Sequence, residues 1–220
     1  MMTRIPRQLK LAIVALGLTA AAAGQARAGL VLETATAGTP ATYGYSLFSN
    51  QTIGSRFHLD TTTAITQIGG NLGGSGTLFG AITALSAPDA LPTGTSLTFP
   101  VLAWTVFTLS NDLTTDIFAN LSVTLGPGDY ALIFGTGRFG ADGTGYLSFD
   151  NDDTPQSSVF FSNDTTGEYN DGGVTGVRLL VVGETPPVAV PEPSAMVSAA
   201  TGVMMLGGFA WRRRRKAMTS

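Results

Sequence analysis

Leu125-Gly126-Pro127-Gly128-Asp129-Tyr130-Ala131-Leu132-Ile133-Phe134-Gly135 is the stretch that decides the fold. Its Gly-Pro-Gly centre is turn chemistry: proline fixes φ and the flanking glycines tolerate positive φ. Leu121–Leu125 before it and Asp129–Phe134 after it are rich in residues that favour strands. A chain that turns this sharply between two strands is moving from one sheet to another. Tyr130 then resembles a tyrosine corner, with its hydroxyl bonded to backbone across the turn.

Working outward from this turn, the same texture of short β-rich runs cut by Gly, Asn-Asp and Pro continues, with no long stretch at helical spacing. Ile53–Leu59 alternates, with Ile53, Ser55, Phe57 and Leu59 on one face and Arg56 and His58 on the other. Val101–Leu109 is apolar on both faces, which predicts a central strand. Further strands are expected near residues 30–36, 42–48, 64–68, 77–85, 145–149, 157–162 and 176–182. About ten strands on this scale predict an all-β domain, a two-sheet β-sandwich or jelly roll. No repeat of fixed period points to a solenoid.

The chain has 220 residues, 28 Gly, 11 Pro, one His, no Cys and only 12% charged residues. That allows one domain with terminal targeting pieces. The lack of cysteine removes disulfides, thiolate metal sites and cysteine nucleophiles, and one histidine removes most histidine-based chemistry. Between Gly29 and Glu184 there are three arginines (Arg56, Arg138, Arg178) and fourteen acids, a net charge of 3 − 14 = −11 that the whole-chain value of −3 conceals. Such a body repels phosphates, so nucleic acid is not an expected partner, whereas neutral sugars and divalent cations are compatible with it.

Candidate chemistry within the body is sparse. Gly135-Thr136-Gly137-Arg138-Phe139-Gly140 satisfies G-x-G-x-x-G after a strand, but Ala141-Asp142-Gly143-Thr144-Gly145 cannot open the helix that a dinucleotide site requires. A Ser-His-Asp hydrolase would have to use His58, with Asp60 on its own face, and no G-x-S-x-G nucleophile turn accompanies it. Asp142, Asp150, Asp152 and Asp153 are the candidate metal ligands, because hard oxygens of this kind suit Ca²⁺. Asp and Asn are equally ordinary turn residues. No other cofactor is expected.

Both ends are of a different nature. Arg4, Arg7 and Lys10 precede the uncharged run Leu11–Ala23, and Ala26-Arg27-Ala28 follows as a small-residue cleavage box. Residues 1–28 therefore read as a secretory signal peptide cut before Gly29. The thirteen-residue run would rise only about 20 Å as a helix, short of a ~30 Å hydrocarbon core. At the other end, residues 185–194 form a proline-rich linker, residues 195–211 an uncharged stretch long enough for a short transmembrane helix, and residues 212–220 a basic cytoplasmic tail. Arg212, Arg213, Arg214, Arg215 and Lys216 resist crossing the bilayer, so everything before Ala195 is expected outside.

The combination of Pro191-Glu192-Pro193, the apolar stretch and Arg212–Arg215 resembles the PEP-CTERM sorting signal of Gram-negative bacteria. The resemblance implies a substrate of exosortase, the membrane enzyme that removes such tails. It implies an inner-membrane precursor that ends at the cell surface or in the extracellular matrix, in association with biofilm and exopolysaccharide. The body, on Ile53–Phe57, Phe79–Ile82 and Pro127–Gly135, is similar to the surface β-domains that occur with interchangeable anchors, the choice-of-anchor domains. That similarity brings no catalytic residues, and the expected function is non-enzymatic. A Ca²⁺-assisted carbohydrate-binding module and a two-carboxylate glycoside hydrolase are the alternatives. Mass spectrometry of the exported protein is expected to give Gly29 as its N-terminus, and retention of Met1 would exclude a cleaved leader.

Overall fold

A computed structural model describes residues 28–38, 44–48, 51–162 and 165–184. The segments expected as signal peptide and sorting tail fall outside these residues, apart from Ala28. The described residues are all-β and contain no helix, so none of their elements is a helix long and apolar enough to cross a membrane. Their strands form four antiparallel sheets rather than two.

One sheet has four strands, in the order β1 (Ala28–Glu33), β15 (Leu179–Glu184), β5 (Thr63–Gly70) and β9 (Ile117–Leu125). A second has six, in the order β14 (Tyr169–Asn170), β13 (Val159–Ser162), β4 (Thr52–Leu59), β10 (Gly128–Gly135), β7 (Thr77–Ala84) and β8 (Ala103–Thr108). The smaller sheets are β3 (Gly44–Leu47), β11 (Thr144–Ser148) and β6 (Leu72–Ser75), and the pair β12 (Asp152–Asp153) with β2 (Ala35–Thr36). The two large sheets face each other across one core. Ile65, Ile68, Leu121 and Val181 come to it from the four-stranded sheet, and Ile53, Phe57, Leu132 and Phe134 from the six-stranded one.

The turn at Gly126-Pro127 carries the chain from β9 to β10, and so from one large sheet to the other. Tyr130 Oη donates to the Gly126 carbonyl at 2.9 Å, which is the corner bond read from the sequence. The Tyr130 ring stacks on Phe57 at 5.7 Å on the paired strand, so the corner is bolted to the core as well as to itself. Close packing below it requires glycine at position 80. A Cβ there would stand 2.7 Å from the Phe134 ring and closer still to Ile68 of the opposite sheet.

Val101–Leu109 is not central: β8 is an edge of the six-stranded sheet, with Leu102 51% and Trp104 50% exposed. Its double-faced apolarity has another cause. Ala103 and Phe107 pack on the core between the sheets, while Val106 packs on a second cluster on the sheet's outer face. That cluster contains Phe79, Ile133, Phe160 and Phe99, and Leu85, Leu91 and Val101 pack against it. Trp104 lies flat on Phe139, with centroids 4.6 Å apart. Apolarity on both faces reports that both faces are covered, not that the strand has two neighbours. The strand with two long neighbours is β10, between β4 and β7.

Removal of the corner bond by Tyr130→Phe is expected to lower unfolding free energy by about 1 kcal/mol, the usual net worth of such a bond. Phe134→Ala, which opens a cavity where exposure is 0%, is expected to cost ~3–5 kcal/mol. Urea unfolding of the two variants checks both values, and a neutral Tyr130→Phe would remove the corner's structural role.

Candidate functional site

All three arginines of the body are engaged internally. Arg56, 9% exposed on the outer face of β4, donates from Nε to the Ala90 carbonyl at 2.9 Å and from Nη1 to Ser158 Oγ at 2.9 Å, and pairs with Asp171. It thereby ties the 85–101 segment to the sheet it covers, and β4 to Asp171 just after the edge strand β14. Arg138 lies 4.5 Å from the Phe99 and Phe139 ring centroids and donates to the Phe99 carbonyl at 3.0 Å. Arg178 bridges Asp116, at 2.9 Å, and Glu33, and also bonds the Ala35 carbonyl. The sequence places Arg56 and His58 on one face, and it does not reveal that the arginine is buried there. The signal was present in the rarity of cations among so many acids.

His58 sits at the end of β4, opposite Asp129 of β10. Its Nδ1 is 2.6 Å from Asp129 Oδ1 and its Nε2 is 3.4 Å from Asp60 Oδ1. The expected neighbour, Asp60, is present. The closer partner, 71 positions along the chain, is visible only once β4 and β10 are paired. The hydrogen bond that His58 donates to the Asp129 carboxylate holds its pKa above the ordinary value of 6.5, and the Asp60 carboxylate adds to this. Both ring nitrogens thus face carboxylates, an arrangement that favours the imidazolium and a pair of donated hydrogen bonds. His58 and Asp129 line a cleft of ≈ 290 Å³ with Arg56, Pro88, Gln156 and Ser158.

Of the four candidate metal ligands, Asp142 and Asp153 have carboxylates bonded within the fold, and Asp150 and Asp152 are held through their main chain. Asp142 Oδ1 accepts from Thr77 Oγ1 at 3.0 Å, and its N–H returns a bond to the same oxygen. Asp153 Oδ1 accepts the Gly176 N–H at 2.8 Å. Asp150 donates its N–H to Ser148 Oγ, and Asp152 pairs with Thr36. Among the described residues no group of three or more His, Asp or Glu side chains is placed to hold a metal ion. The Gly135–Gly140 loop contains no helix, and Gly137, Phe139 and Gly140 all have positive φ there. It serves to place Phe139 against Trp104.

Of the cleavage residues, Ala28 opens β1 opposite Glu184, and Gly29 pairs with Gly183. Ala26 and the sorting residues Pro191, Glu192, Pro193, Arg212, Arg213, Arg214 and Arg215 lie outside the described residues. Residues 189–215 match the PEP-CTERM protein-sorting motif. That motif marks a secreted protein targeted to exosortase, with a membrane-anchored precursor sorted to the cell surface. No curated protein matches the chain, so no homologue supports the similarity of the body to choice-of-anchor domains.

The raised His58 pKa fixes a sign for pH dependence. Its stabilisation is fully present below the ordinary value of 6.5 and is lost as pH rises through the higher folded value. With one imidazole in the chain, the NMR titration of its ring protons is unambiguous. It is expected to titrate above 6.5 in the wild type and to move back toward 6.5 in Asp129→Asn. Urea midpoints are expected to fall across the same window in the wild type and not in His58→Gln.

Proposed function

We propose that this protein is a non-enzymatic component of the cell surface or extracellular matrix, released from a membrane-bound precursor by exosortase and associated with exopolysaccharide. The observation that carries the reading is the PEP-CTERM match at residues 189–215, placed directly after an all-β body whose last strand ends at Glu184. The physical character of the body supports it. A domain with net charge −11, its three arginines turned to internal use, is suited to remain soluble in a hydrated neutral matrix. His58, Asp142 and Asp153 have side chains engaged in holding strands, turns and loops together.

In the tail, prolines at 186, 187, 191 and 193 favour an extended backbone, which a membrane enzyme can take into its cleft. Glu192 is the only charge between Glu184 and the apolar stretch, and so the natural handle for a cationic recognition group. Replacement of Pro191, Glu192 and Pro193 by alanine in the full chain is expected to leave the tail attached and the protein in the membrane fraction, as is deletion of exosortase. Intact-mass measurement decides: wild-type exported protein that still carries Arg212–Arg215, or a variant that loses its tail as wild type does, overturns the sorting mechanism.

A further inference from the structure

A groove of ≈ 440 Å³ lies where β3 approaches β4 and β13. Tyr45, Phe48, Phe161 and Val174 line it together with the polar Ser46 and Gln51. Among the described residues none that lines it is charged, although the body carries fourteen acids. Tyr45 is 38% and Phe48 53% exposed, and Phe149, 43% exposed, meets the Tyr45 ring edge-on at 5.9 Å. Three large exposed aromatics gathered at one place on a chain with 9% aromatic residues call for a reason. Phe48 is also held in position: its N–H donates to Gln51 Oε1 at 3.2 Å, and the Gln51 N–H donates to its carbonyl at 3.0 Å. With its Oε1 so used, the Gln51 amide NH₂ has no hydrogen bond to a side chain or carbonyl among the described residues and can donate to a ligand.

Strand register places the groove. Glu184 pairs with Ala64 and Thr63 with Leu125, and the Gly126-Pro127 corner then brings in Gly128, which pairs with Leu59. The Leu59 end of β4 is therefore the end at which Ala28 and Glu184 leave the body. The groove sits at the Thr52 end, about 25 Å away along an eight-residue strand.

We propose that this groove binds a short stretch of a neutral polysaccharide. A pyranose ring offers an apolar C–H face to stack on Tyr45 and Phe48 and a hydroxylated edge to bond with Ser46 and Gln51. The groove has no cation to hold an acidic sugar, and the surrounding negative charge repels one. This assignment rests on the exported reading only because the ligand must be met outside the cell.

The exported protein, purified from its host, is titrated calorimetrically with hexasaccharides of β-1,4-glucose, α-1,4-glucose and β-1,4-xylose, and with hexagalacturonate as the acidic comparison. At least one neutral sugar is expected to bind, with affinity reduced at least about tenfold in Tyr45→Ala/Phe48→Ala and unchanged in Trp104→Ala. Should the double variant lose its fold, Gln51→Glu, which puts a charge in the lining, is expected to weaken binding in the same way. Absence of binding by all three neutral sugars, equal binding by the groove variants, preference for hexagalacturonate, or a dimer that the double variant dissociates would each overturn the assignment. Failure of the sorting reading is seen separately, as a retained tail in the mass of the same sample.

Discussion

Leu179, Leu180 and Val181 are completely buried, and the strand that carries them, β15, lies between β1 and β5. The last strand of the body thus occupies an interior place in its sheet. Its pairing with β1 joins residues at the two extremes of the domain, from Ala28↔Glu184 to Glu33↔Leu180. Neither the four-stranded sheet nor the core beneath it is complete until this final segment arrives. Arg178 adds an electrostatic lock at the far end of the strand, drawing Glu33 and Asp116 onto β15 from either side. Contacts this distant in sequence form slowly, because loop-closure entropy is met before they contribute. The placement of both ends at one extremity, and of the aromatic groove at the other, follows from this insertion.

A second constraint is the treatment of the six-stranded sheet, which is covered on both faces. One face shares the core with the four-stranded sheet, and the other lies beneath the 85–101 segment. A segment without regular strands can cover a sheet only if its polar backbone finds partners. Arg56 and Arg138 supply two of these by bonding the carbonyls of Ala90 and Phe99. The Ser96 N–H supplies another by donating to Gly167 at 2.8 Å. The scarce cations are spent inside, and the negative charge of the body is left to define its outside.

Much of this was legible in the sequence, and the pattern of success has a physical basis. The corner at Gly126–Tyr130 could be read because turn chemistry is local and proline and glycine act within one or two residues. The alternation of Ile53–Leu59 could be read because burial of one face imposes a period of two. The sorting tail could be read because its parts are contiguous. Position within a sheet is not a local property, and Val101–Leu109 was misplaced for that reason. Leu72–Ser75 was missed as a strand since Gly73 and Gly74 give it little β character, although both glycines pair with β11. The Asp129 partner of His58 and the Asp171 partner of Arg56 belong to the same class, being created by strand pairing rather than by spacing. The aromatic groove is likewise drawn from separate segments, and no single window of sequence contains it.

The fate of the arginines has one more consequence. Lysine occurs in this chain only at positions 10 and 216, both outside the Gly29–Glu184 body. Every bond in that body that a trypsin-like protease can hydrolyse therefore follows one of three arginines, and each guanidinium is already clasped by the fold. Such an enzyme must unfold the domain before it can digest it. Durability against such enzymes is built into where the body's few basic side chains point.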